Sequence, residues 1–276
     1  MSKQKVAVLG LGLIGSIWAN HYRTAGRLSA VWSRSPKPKL DFEPATIEDC
    51  AISAEYLHLC LFDSESVRAT LKQLVPHLNA SHTVIQSTTI DPACAEECAQ
   101  LVEATGAHYI EAPFTGSKPA AEAHQTVYFL GANTEISGEA LDLLKLLSTN
   151  RFVIGTPAQA ASIKLAMNLQ IVAITQALCE SIHITRAAGV TDDIFFEVMK
   201  KNVAWSGLST LKEDKLRNSD YAPQFSVKNM HKDMRLAKVV AGDELPVLNT
   251  VNECLKKAEA AGYGEDDFLS LIRLLA

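Results

Sequence analysis

Short apolar runs and amphipathic patterns alternate through the first 155 residues of the chain. The apolar runs predict strands, which we place at Lys5–Leu9, Ser29–Trp32, Tyr56–Leu61, Thr83–Gln86, His108–Glu111, Thr126–Gly131 and Phe152–Ile154. Between most of them lie patterns with helical spacing, at Ile14–Ala25, Ser64–Leu74, Pro92–Ala104 and Gly138–Leu147. Such alternation is typical of parallel strands with helices on both faces of the sheet. Ser35–Ala45 has three prolines and little periodicity, so we expect a loop or a single helical turn there.

The strand signals stop after residue 155. Ala158–Gly189 is one long helical pattern that is apolar on all sides, and a helix of that kind is typically buried. Further helical patterns follow at Thr191–Asn202, Gly207–Leu216, Ser226–Ala241, Leu248–Ala261 and Asp266–Leu275. We therefore predict an α/β domain over residues 1–155 and an all-α domain over residues 156–276. The long helix would join them without a flexible linker.

The first apolar run ends in a glycine motif, Gly10-Leu11-Gly12-Leu13-Ile14-Gly15. Between a strand and a helix, this spacing is typical of a dinucleotide-binding Rossmann turn, where the second glycine lets the backbone approach a pyrophosphate. The amides that begin the helix would then face the phosphates. A structural turn without a ligand is the alternative, and the flanking strand and helix favour the cofactor. A secretory signal peptide, suggested by Lys3 and Lys5, is disfavoured because its cleavage would delete the first strand.

The end of the second predicted strand indicates which dinucleotide is bound. NAD-selective folds place a carboxylate about 20 residues beyond the glycines, where it binds the ribose 2′-hydroxyl. This chain has Ser33, Arg34 and Ser35 there, with Lys37 and Lys39 beyond, and no carboxylate before Asp41. An arginine fork and two hydroxyls suit a 2′-phosphate, so NADP is favoured over NAD. The alternative is an ordinary solvated basic loop.

Composition excludes several other classes of protein. The net charge of −5 over 276 residues argues against binding to nucleic acid or to a membrane surface. No uninterrupted apolar stretch reaches the ~20 residues that span a bilayer. The 6 cysteines are scattered except for Cys94 and Cys98, and the 8 histidines show no metal-binding spacing. We expect reduced thiols, no metal and a cytoplasmic location.

Polar motifs follow successive predicted strands. Besides the glycine motif and Ser33–Ser35, they are Leu61-Phe62-Asp63, Ser87-Thr88-Thr89 and Thr115-Gly116-Ser117. If the strands are parallel, all of these motifs lie at the carboxyl edge of the sheet, which is where open α/β sheets bind ligands. We therefore expect a cofactor and a substrate to meet at this edge.

The long helical pattern supplies a candidate catalyst. Lys164 is its only charged residue between Thr156 and Cys179, and Asn168 lies on the same helical face one turn later. A desolvated lysine has a lowered pKa and can donate a proton near neutral pH. The alternative is a lysine whose ammonium reaches the surface. Lys232 and Asp233 form a weaker pattern, since such helical neighbours are usually solvated.

The order of these motifs resembles the β-hydroxyacid dehydrogenases, including the glyoxylate and succinic semialdehyde reductases. The resemblance covers nearly the whole chain. It rests on GLGLIG, VWSRSP, STTIDP, EAPFTGSKPAAEAHQ, the Lys164–Asn168 pair, the stretch from Phe225 to Asp233, and GYGEDD. It implies a Rossmann domain followed by an all-helical domain. The implied activity is NAD(P)-dependent reduction of a small aldehyde acid, or oxidation of a 3-hydroxy acid.

The resemblance also implies roles for particular residues. Lys164 would be the general acid/base, supported by Asn168, and Thr115, Gly116 and Ser117 would hold the substrate carboxylate. The cofactor contacts that we expect are Gly10, Leu11, Gly12, Leu13, Ile14, Gly15, Ser33, Arg34, Ser35, Leu61, Phe62, Thr88 and Lys232. We expect a homodimer or a homotetramer.

Two departures from the family pattern affect the substrate prediction. Thr115 stands where a serine is usual, and His124 stands where a glycine is common. An imine reductase, which has the same two-domain plan, is one alternative. A cofactor-binding protein without turnover is another, and the presence of both Lys164 and Asn168 argues against it.

Overall fold

The computed structural model describes residues 4–35, 41–242 and 244–275. The chain divides into two compact units, Met1–Lys164 and Leu165–Ala276. The strands found among these described residues lie in the first unit: β1 Val6–Leu9, β2 Leu28–Trp32, β3 Tyr56–Leu59, β4 Thr83–Gln86, β5 His108–Glu111, β6 Phe114–Thr115, β7 Val127–Gly131 and β8 Asn150–Gly155.

The helices of the first unit connect these strands. They are α1 Leu13–Thr24, α2 Ile47–Ser53, α3 Ser64–Leu74, α4 Pro92–Glu103, α5 Lys118–Glu122 and α6 Gly138–Lys145, with a 3₁₀ turn at Val75–His77. α7, Pro157–Ala187, begins in the first unit and continues into the second. The second unit adds α8 Asp192–Met199, α9 Gly207–Arg217, α10 Val227–Ala241, α11 Pro246–Ala260 and a 3₁₀ helix at Phe268–Leu275. The last predicted helix is therefore of the 3₁₀ type.

The strands form one sheet in the order β2-β1-β3-β4-β5-β7-β6, and β8 pairs with β7. The first five are parallel, as predicted, but β7 is antiparallel to both β5 and β6. The expectation of an entirely parallel sheet was therefore wrong. Parallel neighbours need a long crossover connection. Between β5 and β7 the chain has only β6 and the short α5, so it does not return to the opposite edge.

Apolar side chains cover both faces of the sheet, as expected for buried parallel strands. All four residues of β1 are buried, and so are those of β3 and β4. One cluster joins one face to α2, α3 and α4, and a second joins the other face to α1 and α6. This packing fixes the carboxyl edge of the sheet, where the loops after β1 to β5 emerge.

Helix α2 was not predicted. Its N-terminus is a reciprocal cap: the Thr46 hydroxyl accepts from the Asp49 amide at 3.0 Å, and the Asp49 carboxylate accepts from the Thr46 amide at 3.1 Å. The Thr-x-x-Asp spacing was a readable signal. The predicted loop over Ser35–Ala45 falls partly outside the described residues. Among its described residues, 35 and 41–45, Pro44 forms an isolated bridge with Val31.

Helix α7 is only partly buried, contrary to the expectation from its pattern. Ala161, Val172 and Cys179 belong to buried clusters, but Met167 is 37% exposed and Ile184 is 67% exposed. Within the described ranges it is also the one helix long and apolar enough to span a bilayer, by length and composition only. Core helices of globular domains meet the same criteria.

A buried ion pair organises the second unit. The Lys212 ammonium donates to the Asp267 carboxylate at 2.7 Å, and both side chains are almost fully buried. Asp267 also accepts from the backbone amides of Gln224, Phe225 and Leu269. Burial lowers the pKa of Lys212, and the nearby Asp267 carboxylate opposes that shift. Asp267 therefore ties α9, the segment before α10 and the last 3₁₀ helix together.

Replacing Asp267 with asparagine should lower the free energy of unfolding by about 3 kcal/mol, because it leaves a buried ammonium without its counter-charge. Urea denaturation of the purified protein measures this value. Asp266→Asn is the matched control, since Asp266 pairs with Arg273 where both side chains are more than a third exposed. It should cost less than about 1 kcal/mol. An equal loss of unfolding free energy in the two variants would contradict the role of Asp267 as the counter-charge of Lys212.

Candidate active site

The three glycines of the first loop lack side chains for different reasons. A Cβ on Gly10 would lie 2.2 Å from the Cys60 carbonyl oxygen, and one on Gly15 would lie 1.9 Å from the Gly10 carbonyl oxygen. Both glycines are therefore required by packing within the protein. A Cβ on Gly12 would meet nothing within 4 Å. Since φ at Gly12 is −73°, neither the fold nor the backbone requires glycine there, and the open space fits a ligand phosphate.

The same loop leads into a helix whose start carries no side-chain cap. Gly12 is the N-cap residue of α1, and no acidic residue lies in the first turn. The first amides of a helix lack carbonyl partners within it, and its dipole is positive at that end. This 12-residue helix therefore presents the donors and the field that a diphosphate needs. The residues present fit a dinucleotide.

The loops after β2 and β3 emerge at the same edge. Arg34 and Ser35 are exposed and Ser33 is half-buried, directly after the end of β2. Phe62, after β3, is 47% exposed. Lys37 and Lys39, which we associated with a 2′-phosphate, lie outside the described residues. The polar groups of Ser33–Ser35 are thus accessible to a ligand.

Thr88 is 3% exposed, and its contacts are internal to the protein. Its hydroxyl accepts from the Leu61 amide at 2.8 Å. Its own amide donates to the Gln86 side chain at 2.5 Å, and its carbonyl accepts from the same side chain at 2.9 Å. Thr88 therefore holds the loop that carries Leu61 and Phe62, a link that sequence reasoning did not identify.

A buried carboxyl group lies behind Thr88. Glu111 is fully buried, and its two oxygens accept from Gln86 at 2.9 Å and from the Tyr109 hydroxyl at 2.6 Å. Burial raises the pKa of Glu111 to about 8, and the two hydrogen bonds oppose this shift. In the unfolded chain the carboxyl ionises near pH 4.5. Between those values the folded protein binds one more proton than the unfolded chain, so this group lowers stability as the pH rises from 4.5 to 8.

Glu111→Gln should remove that dependence. We expect the free energy of unfolding of the variant, relative to wild type, to rise by about 1–3 kcal/mol between pH 6 and pH 8. Chemical denaturation of both proteins across this range measures the difference. A difference that does not change with pH would show that Glu111 is already ionised at pH 6 in the folded protein.

The lysine predicted to be catalytic lies near the predicted carboxylate loop. Lys164 is 7% exposed, and its ammonium is 6.0 Å from the centroid of the Phe114 ring. Phe114 precedes Thr115 in β6. Thr115 and Ser117 are half-buried, and Gly116 is exposed with a φ of +124°. The first unit therefore brings a buried cation close to a turn of small polar residues.

Asn168 lies four residues after Lys164 on α7, and it contacts α10. Its amide nitrogen donates to the Asp233 carboxylate at 2.5 Å, and the other oxygen of Asp233 is 2.8 Å from the Lys232 ammonium. All three residues are buried. Helical Lys–Asp neighbours are usually solvated, but α10 packs Lys232 and Asp233 inward. Asp233 fixes the orientation of the Asn168 amide, a role that sequence reasoning missed.

His124 replaces the glycine usual in the family and adopts the backbone conformation of a glycine. Its φ is +58°, in the left-handed region. Its Nδ1 lies 2.8 Å from the Leu146 carbonyl oxygen, and its ring contacts the His21 ring, tilted by 33°, with centroids 3.8 Å apart. These contacts offset the strain. The loop after Ser117 therefore keeps its turn despite the substitution.

Comparisons with known proteins assign both parts of the chain to known families. Residues 5–155 match the family described as the NAD-binding domain of 6-phosphogluconate dehydrogenase. Residues 158–275 match the NAD-binding family of NADP-dependent 3-hydroxyisobutyrate dehydrogenase. The first unit and the helical region thus match two families that occur in NAD(P)-dependent dehydrogenases.

Individual relatives extend over almost the whole chain. The chloroplastic glyoxylate/succinic semialdehyde reductase 2 of Arabidopsis thaliana is 25% identical, over 98% of this chain and 79% of its own. Reductase 1 of the same plant is 24% identical, over 97% of both chains. A crystal structure of 3-hydroxyisobutyrate dehydrogenase from Salmonella typhimurium superposes with a TM-score of 0.84 at 22% identity, covering 98% of this chain and 99% of that one.

The fold and the family matches define an NAD(P)-dependent oxidoreductase of the class that acts on hydroxyl or aldehyde groups. Within that class, the chain belongs to the β-hydroxyacid dehydrogenase family. The resemblance inferred from the motifs is confirmed, as is the prediction of a Rossmann-type domain followed by helices.

Proposed function

We propose that this protein is an NADPH-dependent reductase of a small aldehyde acid, of the glyoxylate or succinic semialdehyde type. One observation carries the proposal: the buried Lys164 ammonium lies near Phe114, the residue next to Thr115. A lysine that can interact with the carbonyl oxygen of a substrate therefore lies near a loop that can bind the substrate carboxylate. Both reductases of Arabidopsis thaliana act, by name, on substrates that carry an aldehyde and a carboxylate.

Lys164 is the proposed general acid. When bound, NADPH would supply a hydride for the carbonyl carbon, and negative charge would develop on the carbonyl oxygen. The Lys164 ammonium stabilises this charge, and it then donates a proton to the oxygen. Burial strengthens the electrostatic part, because little water screens the charge.

Asn168 is proposed to orient the reacting groups. Since its nitrogen donates to Asp233, its carbonyl oxygen is directed away from that carboxylate and can accept a hydrogen bond from a substrate hydroxyl. In the oxidative direction, the same two residues would hold the hydroxyl of a 3-hydroxy acid.

The loop Thr115–Ser117 is proposed to bind the substrate carboxylate. The hydroxyls of Thr115 and Ser117 and the amides of this turn are suitable donors, and the positive φ of Gly116 allows successive amides to face one anion. A substrate panel tests this proposal, with NADPH oxidation followed for each acid, its amide and its methyl ester. We expect the acids to have the higher kcat/KM. Equal turnover of the neutral analogues or of cyclic imines would favour an imine reductase instead.

The proposed preference for NADPH rests on Arg34. This exposed residue follows β2, and the described part of that loop, Ser33–Ser35, holds no carboxylate that would repel a 2′-phosphate. Arg34→Ala should raise the Kd of NADPH about tenfold, the effect of losing a hydrogen-bonded charge, and change the Kd of NADH less than about twofold. Fluorescence titration measures both values. Ser35→Ala is the milder control, and equal affinity of the wild type for the two cofactors would overturn the assignment.

A homodimer or homotetramer remains part of the proposal. Met167 and Ile174 on α7 are each 37% exposed, and apolar side chains on one helix are suitable for a contact between copies. Light scattering on the purified protein measures the mass in solution, and a monomer would refute this part.

A further inference from the structure

We propose that Glu111 and Gln86 are positioning residues for the nucleotide site, acting through Thr88 on the loop that carries Leu61 and Phe62. The inference rests on the proposed function, since it assigns a role to residues beneath that site. Four hydrogen bonds link the ends of β3, β4 and β5: from Leu61 to Thr88, from Thr88 to Gln86, from Gln86 back to Thr88, and from Gln86 to Glu111.

The Gln86 side chain forms hydrogen bonds with Thr88 and with Glu111. Its oxygen accepts from the Thr88 amide at 2.5 Å, and its nitrogen donates to the Thr88 carbonyl at 2.9 Å. The nitrogen has a second hydrogen, which goes to Glu111 at 2.9 Å. Thr88 is therefore held at both ends of its backbone by one amide, and that amide is held by one carboxyl group.

Glu111 anchors this unit to the next strand. Gln86, Glu111 and Tyr109 are each no more than 1% exposed, so no bulk water replaces a lost partner. Removing the carboxyl oxygens would leave the second Gln86 hydrogen buried without an acceptor, which is unfavourable. The amide would then turn away from Thr88, and the Thr88 backbone would lose its two bonds.

Thr88 in turn holds the loop that carries Leu61 and Phe62. Its hydroxyl accepts from the Leu61 amide at 2.8 Å, and Phe62 follows with an exposed ring. A β-strand end and one side-chain hydroxyl thus set the path of a loop that lies at the same edge as Gly12. Loss of the network should let this loop take up other conformations, and cofactor affinity should fall because binding must then order it.

The test compares four variants by NADPH titration and by amide hydrogen exchange without cofactor. Glu111→Leu replaces the carboxyl group with an apolar side chain of similar size and so removes the hydrogen-bond acceptor for Gln86. We expect the Kd of NADPH to rise about tenfold or more. We also expect amide hydrogen exchange to accelerate at residues 60–63 and 87–89. Glu111→Gln keeps an acceptor for Gln86 and should bind NADPH within about twofold of wild type. It mimics the protonated carboxyl that burial favours, because burial raises the pKa of Glu111 to about 8.

Thr88→Val and Thr88→Ser test the other end of the network without altering a strand of the sheet. Valine removes the acceptor for the Leu61 amide and should weaken binding and speed exchange at residues 60–63, whereas serine keeps the acceptor and should do neither. If Glu111→Leu does not fold, the comparison of Thr88→Val with Thr88→Ser still tests the positioning role. A wild type that binds neither NADPH nor NADH would refute the proposed function. A wild type that binds NADPH, with Glu111→Leu and Thr88→Val unchanged in both Kd and exchange, would refute the positioning role alone.

Discussion

Replacing Lys164 with methionine is expected to lower kcat by about 10²–10⁴, the usual contribution of a positioned acid or base. Methionine keeps the helix propensity and most of the volume of lysine, so α7 and the packing against Phe114 should persist. The Kd of NADPH should stay within about twofold of wild type, because the lysine is proposed to act on the substrate oxygen and not on the phosphates. Steady-state kinetics with succinic semialdehyde, together with cofactor titration, measures both quantities.

Lys164→Arg separates the two parts of the proposed role. Arginine keeps the positive charge but does not give up its proton at accessible pH, so it should recover electrostatic stabilisation without acid catalysis. We expect its kcat to lie between those of the methionine variant and the wild type. Melting temperatures near that of the wild type would exclude unfolding as the cause. Wild-type turnover in Lys164→Met would mean that this buried ammonium serves packing and not chemistry.

Replacing Gly12 with alanine is expected to raise the Kd of NADPH by at least about a hundredfold while leaving the fold almost unchanged. A Cβ on Gly12 meets no protein atom within 4 Å, so the methyl group would project into the space assigned to the pyrophosphate. An alanine at the N-cap of α1 should cost the fold no more than about 1 kcal/mol. Titration and thermal unfolding of the same sample measure the two effects.

Gly15→Ala provides the contrasting control. Its Cβ would lie 1.9 Å from the Gly10 carbonyl oxygen, so the backbone must move and the protein should lose stability. These results would show that Gly12 is required for ligand binding and that Gly15 is required for packing within the protein. Tight NADPH binding by Gly12→Ala would contradict the location of the phosphates.

Local signals were sufficient to predict the glycine turn and most of the strands and helices. The spacing of the three glycines is readable within six residues, although the close approach that requires Gly10 involves Cys60, just beyond β3. Helical and strand periodicity likewise involves residues only a few positions apart. The Rossmann-type domain and the helices after it could therefore be predicted, and the family matches confirm them.

The direction of β7 depended on what connects two strands and not on the strand itself. A parallel and an antiparallel strand can have the same apolar pattern, so the pattern does not predict the direction of the strand. The small size of α5 decided the outcome, since a five-residue helix does not serve as a crossover. Periodicity alone did not distinguish this short helix from a loop.

The polar connections beneath the site were decided by tertiary structure alone. Asn168 and Asp233 are 65 residues apart in sequence, and Gln86 and Glu111 are 25 apart. The chain predicted Lys164 and Asn168 as a pair, but it gave no sign that Asp233 contacts Asn168 or that Glu111 contacts Gln86. The sequence determined which residues are candidates for the chemistry, because those side chains stand out locally. Only folding decided which buried partners orient them, because a hydrogen bond in the core requires two distant segments to meet at about 3 Å.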